Sequence, residues 1–180
     1  ISSDFNNSKL WCNKIFRLLK NFLLKNKSNY LICIGSAAEL IPSTNIYLKE
    51  NDYSNGVGDY GRAKVYLLKK FLNDNEISQD QFCWVRLFTP TGKFESKSRL
   101  IPYVTQMALK NQDIFCNNPN IYRDFCDVNE IVKSLKYIAQ KRYGGIINLA
   151  SGKKIMIKEL ISKIIKKTDS KSKLIIKEIY

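Results

Sequence analysis

The sequence predicts an α/β fold built on a parallel sheet with helices on both faces, and three observations lead there. Tyr30–Ile34 and Phe82–Phe88 are continuous apolar runs of strand length, the pattern of strands covered on both sides. Between them, Tyr60 to Leu72 carries apolar residues at helical spacing. Strand, helix and strand in that order make a βαβ unit, whose crossover is right-handed.

Taken in order, Asn6, Asn7 or Ser8 caps a first helix that places Leu10, Trp11, Ile15, Leu18, Leu19, Phe22 and Leu23 on one broad apolar side. Lys20, Lys25 and Lys27 suit the negative pole at its end. The strand Tyr30–Ile34 stops at Gly35-Ser36-Ala37-Ala38. Ser36 thus falls at the carboxyl end of a strand, where open α/β sheets place ligands; an ordinary turn serine fits the same position. A polar loop with Pro42, Asn45, Asn51, Asp52, Asn55, Gly56 and Gly58 leads to the Tyr60 helix, and the second strand ends in Thr89-Pro90-Thr91-Gly92. Beyond Gly92 come a polar connector to Arg99, a helix from Leu100 to Leu109, and a turn-rich break at Asn117 to Asn120. Asn129 caps a helix carrying Ile131, Val132, Leu135 and Ile138, which Gly144-Gly145 ends. Ile146–Leu149 is a short strand, Met156–Lys167 an amphipathic helix, and Leu174–Ile176 a last strand.

Composition removes several chemistries. Histidine is absent from the 180 residues, which excludes Ser-His-Asp and Cys-His nucleophilic schemes and every histidine-containing metal site. Cys12, Cys33, Cys83, Cys116 and Cys126 form no CxxC pair, so no metal is expected, and buried reduced thiols in a cytoplasmic protein fit best. No apolar run is long enough to cross a bilayer. The net charge of +14 admits a basic nucleic-acid-binding module. Against that reading, the lysines are scattered, and Tyr30, Phe82, Trp84 and Phe88 lie in core-type strands rather than interleaved with lysine. No nucleic-acid or membrane partner is therefore expected.

The first turns of the middle helix read Tyr60-Gly61-Arg62-Ala63-Lys64. Positions i and i+4 share a helix face, so a phenol and an ammonium project side by side. A nearby cation favours the phenolate and fits the phenol for exchanging a proton with a hydroxyl or carbonyl. The spacing recurs at Tyr66/Lys70 and Tyr137/Lys141, read here as solvated faces, so context must discriminate.

Five features in sequence order carry that context: Ser36-Ala37-Ala38 after a strand; Tyr60-x-x-x-Lys64; Arg86-Leu87-Phe88-Thr89-Pro90-Thr91-Gly92; Arg99-Leu100-Ile101-Pro102 leading to Arg123–Glu130; and Asn148–Gly152 before a Lys158-Glu159-Leu160 helix. Together they resemble the extended short-chain dehydrogenase/reductase family, and within it the nucleotide-sugar epimerases, dehydratases and ketoreductases; Asn13 fits an asparagine of that family's helix. The resemblance implies a partial Rossmann-like fold plus a smaller C-terminal substrate-binding region. Residues 1–92 would be the C-terminal half of an NAD(P)-binding domain, and 93–180 mostly substrate-binding, with 122–149 returning to the Rossmann core. It implies Tyr60 as catalytic acid/base, Lys64 holding the nicotinamide ribose and lowering the Tyr60 pKa, and Ser36 on the reacting sugar oxygen. Tyr60, Lys64 and Pro90 would contact NAD or NADP. Ser36, Thr89, Arg99 and Arg123 would bind a nucleotide-diphosphate sugar. An ion pair of Arg123 with Asp124 or Asp127 is the plain alternative for that arginine. The Glu95 to Pro102 segment leans toward a 4-ketoreductase or epimerase, and helices 8–25 and 60–73 are the candidate homodimer surface.

The sequence departs from the family in three ways. No GxGxxG or GxxGxxG loop occurs, Thr89 stands where many members have Asn, and Leu40-Ile41 replaces the usual Tyr-Gly. The expectation is a fragment that lacks the cofactor's main anchor upstream of Ile1 and is inactive alone, or a non-catalytic remnant that partners a related subunit.

Overall fold

A computed structural model describes residues 5–40, 47–52 and 54–176. Ile1, Ile41, Pro42 and Asn45 of the sequence reading lie outside them. The element order is α1 (Phe5–Lys25), β1 (Leu31–Ser36), a 3-10 turn (Ala37–Glu39), α2 (Gly58–Leu72), a second 3-10 turn (Gln79–Gln81), β2 (Phe82–Leu87), β3 (Pro90–Thr91), α3 (Leu100–Leu109), β4 (Ile114–Cys116), β5 (Tyr122–Asp124), β6 (Cys126–Asp127), α4 (Val128–Lys141), β7 (Gly145–Leu149), β8 (Lys154–Met156), α5 (Ile157–Lys167) and β9 (Leu174–Ile176). The chain divides into two compact units: Ile1–Phe88 with Ile131–Leu149, and Thr89–Glu130 with Ala150–Tyr180. The breaks fall at 88/89, 130/131 and 149/150.

In the first unit β1, β2 and β7 form one parallel sheet in that order, with Cys33 opposite Trp84 and Trp84 opposite Ile146. Every residue from Phe82 to Arg86 is buried, as a central strand covered on both faces requires. Period-two alternation sends Phe82 and Trp84 to the side where α1 and α2 pack. There Phe71, 1% exposed, meets Phe16 edge-on at 5.1 Å and Phe82 at 5.2 Å between ring centroids. Burial pushes the Cys33 thiol up to about 12, so it stays protonated and inert near neutrality.

Three local expectations are corrected. α1 starts at Phe5, so Asn6, Asn7 and Ser8 lie inside it and do not cap it. Its apolar residues do not form one buried side. Ser8, Cys12 and Leu23 are buried with Phe16 and Leu19 packed beside them, while Leu10, Trp11, Ile15, Leu18 and Phe22 are exposed. The reason is the meeting with α2. The small Cys12 comes close enough for its thiol to donate to the Ala63 carbonyl at 3.5 Å, an approach that a leucine or tryptophan would block. Asn129 does not cap α4 either: Asp127, just ahead of the helix, accepts the Asn129 N–H at 2.7 Å.

In the second unit α3 and α5 pack through Val104, Ala108, Ile157 and Ile161, with Ile114 of β4 in the same core. The unit also holds three two-stranded pairs: β3 with β6 and β4 with β9 are parallel, and β5 with β8 is antiparallel. Among the described residues no helix is long and apolar enough to cross a membrane.

Phe71 stands in the middle of the aromatic core, in ring contact with Phe16, Phe82 and Trp84. Phe71→Ala is expected to lower stability by about 3–5 kcal/mol. Urea unfolding followed by circular dichroism checks this, and a loss well under about 1 kcal/mol would contradict the packing described.

Candidate active site

The carboxyl end of β1 is where three of the expected residues gather. Ser36 closes the strand and caps the first 3-10 turn, with φ −152° and ψ 147°. Its hydroxyl oxygen accepts the Ala38 N–H at 3.2 Å. The chain returns to this turn ahead of α2: the Val57 N–H donates to the Ala38 carbonyl at 2.7 Å, and the Gly56 N–H to the Glu39 carbonyl at 2.9 Å. Gly61 then brings α2 against the same Ala38 carbonyl, since a Cβ there would overlap its oxygen. Tyr60, the residue before it, is 46% exposed.

One turn on, the Lys64 ammonium donates to the Ile34 carbonyl at 2.8 Å, two residues before Ser36, and lies 5.9 Å from the Tyr60 ring centroid. The first two turns of α2 are thus tied to the strand and to the turn that holds Ser36. An ammonium has three N–H donors. Ile34 takes one, which orients the group and leaves two for a ligand.

The repeated Tyr/Lys spacing is told apart by partners. Tyr66 is partly buried rather than solvated, and its hydroxyl hydrogen-bonds the Asn13 side chain of α1 at 3.1 Å. Tyr137 lies against Tyr143, with ring centroids 5.9 Å apart and the rings tilted by 47°. The Tyr60 hydroxyl has no hydrogen-bond partner among the described residues.

Beneath Ser36 lies a cluster that the sequence reading missed. The Glu39 carboxylate is fully buried and Arg86 is 1% exposed. Glu39 Oε1 accepts the Ser36 N–H at 2.8 Å and the Trp84 indole N–H at 3.1 Å, while Oε2 accepts the same indole at 3.0 Å and the Arg86 Nε–H at 2.9 Å. Arg86 also donates to the Glu50 carbonyl at 3.0 Å. Gly35 leaves the space: a Cβ there would overlap the indole nitrogen and the Glu39 carboxylate. A signal for Glu39 was present, because Ser36-Ala37-Ala38-Glu39 has the serine-to-glutamate spacing of a capping box.

The remaining candidates belong to the second unit. The Thr89 carbonyl accepts the Cys126 N–H at 3.0 Å, and Pro90 pairs with Cys126 in the β3–β6 ladder. Arg99 donates from Nε to Glu95 at 3.2 Å, and the other Glu95 oxygen accepts the Thr91 hydroxyl at 2.9 Å. Thr91 and Glu95 line an open cavity of about 460 Å³ beside α3, with Ile101, Pro102 and Thr105 among others, whereas Thr89, Pro90, Arg99 and Arg123 are not in its lining. Arg123 is exposed and donates to its neighbour's carbonyl at 3.1 Å, while Asp124 accepts the Ser151 N–H at 2.9 Å.

Comparison with known proteins agrees with this architecture. A model of the NAD dependent epimerase/dehydratase family matches residues 15–150. CDP-abequose synthase of Salmonella muenchen is 27% identical over 125 residues, which is 64% of this chain and 43% of that protein. Among solved structures, dTDP-glucose 4,6-dehydratase from Bacillus anthracis, in complex with NAD, superposes with a TM-score of 0.81 at 13% identity, covering 97% of this chain and 57% of that one. UDP-N-acetylglucosamine 4-epimerase from Methanobrevibacter ruminantium, in complex with UDP-N-acetylmuramic acid, gives 0.77 at 24% identity, covering 93% and 55%. The chain spans about half the length of these relatives.

The contact between α2 and the Ser36 turn yields a stability test. Gly61→Ala forces a Cβ onto backbone, which cannot rotate away, and is expected to cost about 1–3 kcal/mol. Chemical denaturation measures it; an unchanged or raised midpoint would mean that α2 does not approach Ala38 this closely.

Proposed function

Because the chain belongs to the NAD dependent epimerase/dehydratase family, we propose that it supplies the catalytic and substrate-binding portion of an NAD(P)-dependent nucleotide-sugar enzyme. The reaction class is epimerase, dehydratase or 4-ketoreductase, and Tyr60 is the acid/base. The observation that carries the reading is the tie of α2 to the Ser36 turn, with Lys64 on the Ile34 carbonyl and the Tyr60 phenol exposed beside it. The likeness to CDP-abequose synthase favours a nucleotide-linked sugar as substrate.

The donor set fits a ribose: two remaining Lys64 N–H groups and an exposed phenol suit its hydroxyls. When bound, the nicotinamide accepts or supplies the hydride. The chain's own residues then divide the rest. Tyr60 moves a proton to or from the sugar oxygen, Ser36 donates a hydrogen bond to that oxygen, and Lys64 holds the ribose while keeping a positive charge near the phenol. Thr89, Pro90, Arg99 and Arg123 are proposed ligand contacts of the second unit, and Thr91 and Glu95 belong to the polar lining of its cavity beside α3. The pyrophosphate-cradling glycine loop is not among these 180 residues, so the chain alone is expected to turn over poorly.

The exposed stripe of Leu10, Trp11, Ile15, Leu18 and Phe22 on α1 supports a homodimer through the helices of the first unit. The chain mass is 20.9 kDa. Light scattering on the chain is expected to give twice that mass, and Leu18→Glu to halve it. A wild-type monomer at high micromolar concentration would remove the dimer.

The activity is tested in the complete protein in which the chain occurs, with NAD(P)H and a panel of CDP-, dTDP- and UDP-linked 4-keto-6-deoxyhexoses. Tyr60→Phe is expected to lower kcat by about 10²–10⁴-fold with the unfolding midpoint unchanged. Retained turnover in a folded Tyr60→Phe protein would refute the assignment.

A further inference from the structure

We propose that Glu39 is a positioning residue for Ser36, and that the Glu39–Arg86–Trp84 cluster sets the direction in which the Ser36 hydroxyl points. The inference rests on the reading of Ser36 given above. A carboxylate taken fully out of water is tolerated only when its oxygens are well paired. Here both are, through one N–H of the peptide backbone, one indole and one guanidinium. Apolar side chains of similar volume fill such a space at equal or lower cost. The charged cluster adds direction. Trp84 and Arg86 stand on the central strand β2, so the carboxylate they grip is a fixed point. From that point it holds the N–H of the last residue of β1, and with it the backbone that aims the Ser36 Cβ.

The hydroxyl is specified in the same way. Its oxygen already accepts from Ala38, which leaves the hydroxyl proton to donate outward. Ser36 is thereby preset as a hydrogen-bond donor to the reacting oxygen, and Glu39 acts on the reaction only through it.

The test is a double-mutant cycle in the complete protein, with the keto-sugar panel above. Glu39→Gln places an amide N–H₂ where only acceptors fit. It is expected to lower kcat about 10- to 100-fold with serine at position 36, but by less than about twofold in the Ser36→Ala background. Equal losses in the two backgrounds overturn the positioning role and leave Ser36 in the reaction. Full activity of Ser36→Ala alone overturns the reading of Ser36, and the inference with it. If Glu39→Gln fails to fold, the Glu39→Met/Arg86→Met pair keeps the volume and carries the same comparison. Hydrogen exchange on the unsubstituted protein needs no variant: the Ser36 N–H is expected to be protected, and exchange as fast as an exposed loop amide overturns the clamp.

Discussion

The approach of α2 to the Ala38 carbonyl is the constraint on which the candidate site depends. Tyr60 and Ser36 are separated by a loop, and only the missing side chain of Gly61 lets the helix seat where the two are drawn to one end of the sheet. Gly35 has the matching role in the layer below, where its missing Cβ leaves room for the Trp84 indole against the Glu39 carboxylate. Close contacts of this kind are specific. Hydrophobic burial would hold α2 against β1 and β2 in several neighbouring settings, but the Val57 and Gly56 N–H bonds are satisfied in one.

Much of this was legible in the sequence, and the reasons are physical. β2 was plain because a strand covered on both faces must be apolar at every position; β1 reads the same in the sequence, yet among the described strands it stands at the sheet edge with Ile34 exposed. The Tyr60 helix was plain because its apolar residues recur at helical spacing on one side. The direction of α1 was not legible. Its residues form two stripes, Leu10-Trp11-Ile15-Leu18 and Ser8-Cys12-Phe16-Leu23, and hydrophobicity alone points to the first, which is the exposed one. Side-chain size chooses, because the neighbouring helix sits near enough that only small residues fit at the crossing.

Glu39 escaped for a different reason. A glutamate in a polar turn ordinarily faces water, and nothing within Ala37-Ala38-Glu39 says that an arginine and a tryptophan from 45 to 47 residues away will enclose it. Arg86 was visible within a motif, yet in the middle of an apolar strand it demands a buried acceptor. Pairing that demand with the capping-box spacing at Ser36 would have found the carboxylate. Buried charge in a strand is a question that the rest of the sequence has to answer.

The Tyr-x-x-x-Lys spacing shows how little a pattern carries without its surroundings. Lys70 lies 5.4 Å from the Tyr66 ring, slightly nearer than the 5.9 Å between Lys64 and the Tyr60 ring, so the pairing itself does not distinguish them. Their hydroxyls and cations do. Tyr66 spends its O–H on Asn13, in a contact that joins two helices, and is not open to a substrate. Lys64 reaches the carbonyl of a strand that ends two residues later in Ser36, whereas Lys70 lies over the rings of Phe16 and Tyr66. A phenol that is exposed, beside a cation anchored to the sheet and next to the Ser36 turn, is open to a bound oxygen, which supports the acid/base role proposed for it. A phenol committed to packing is not, whatever its spacing from a lysine.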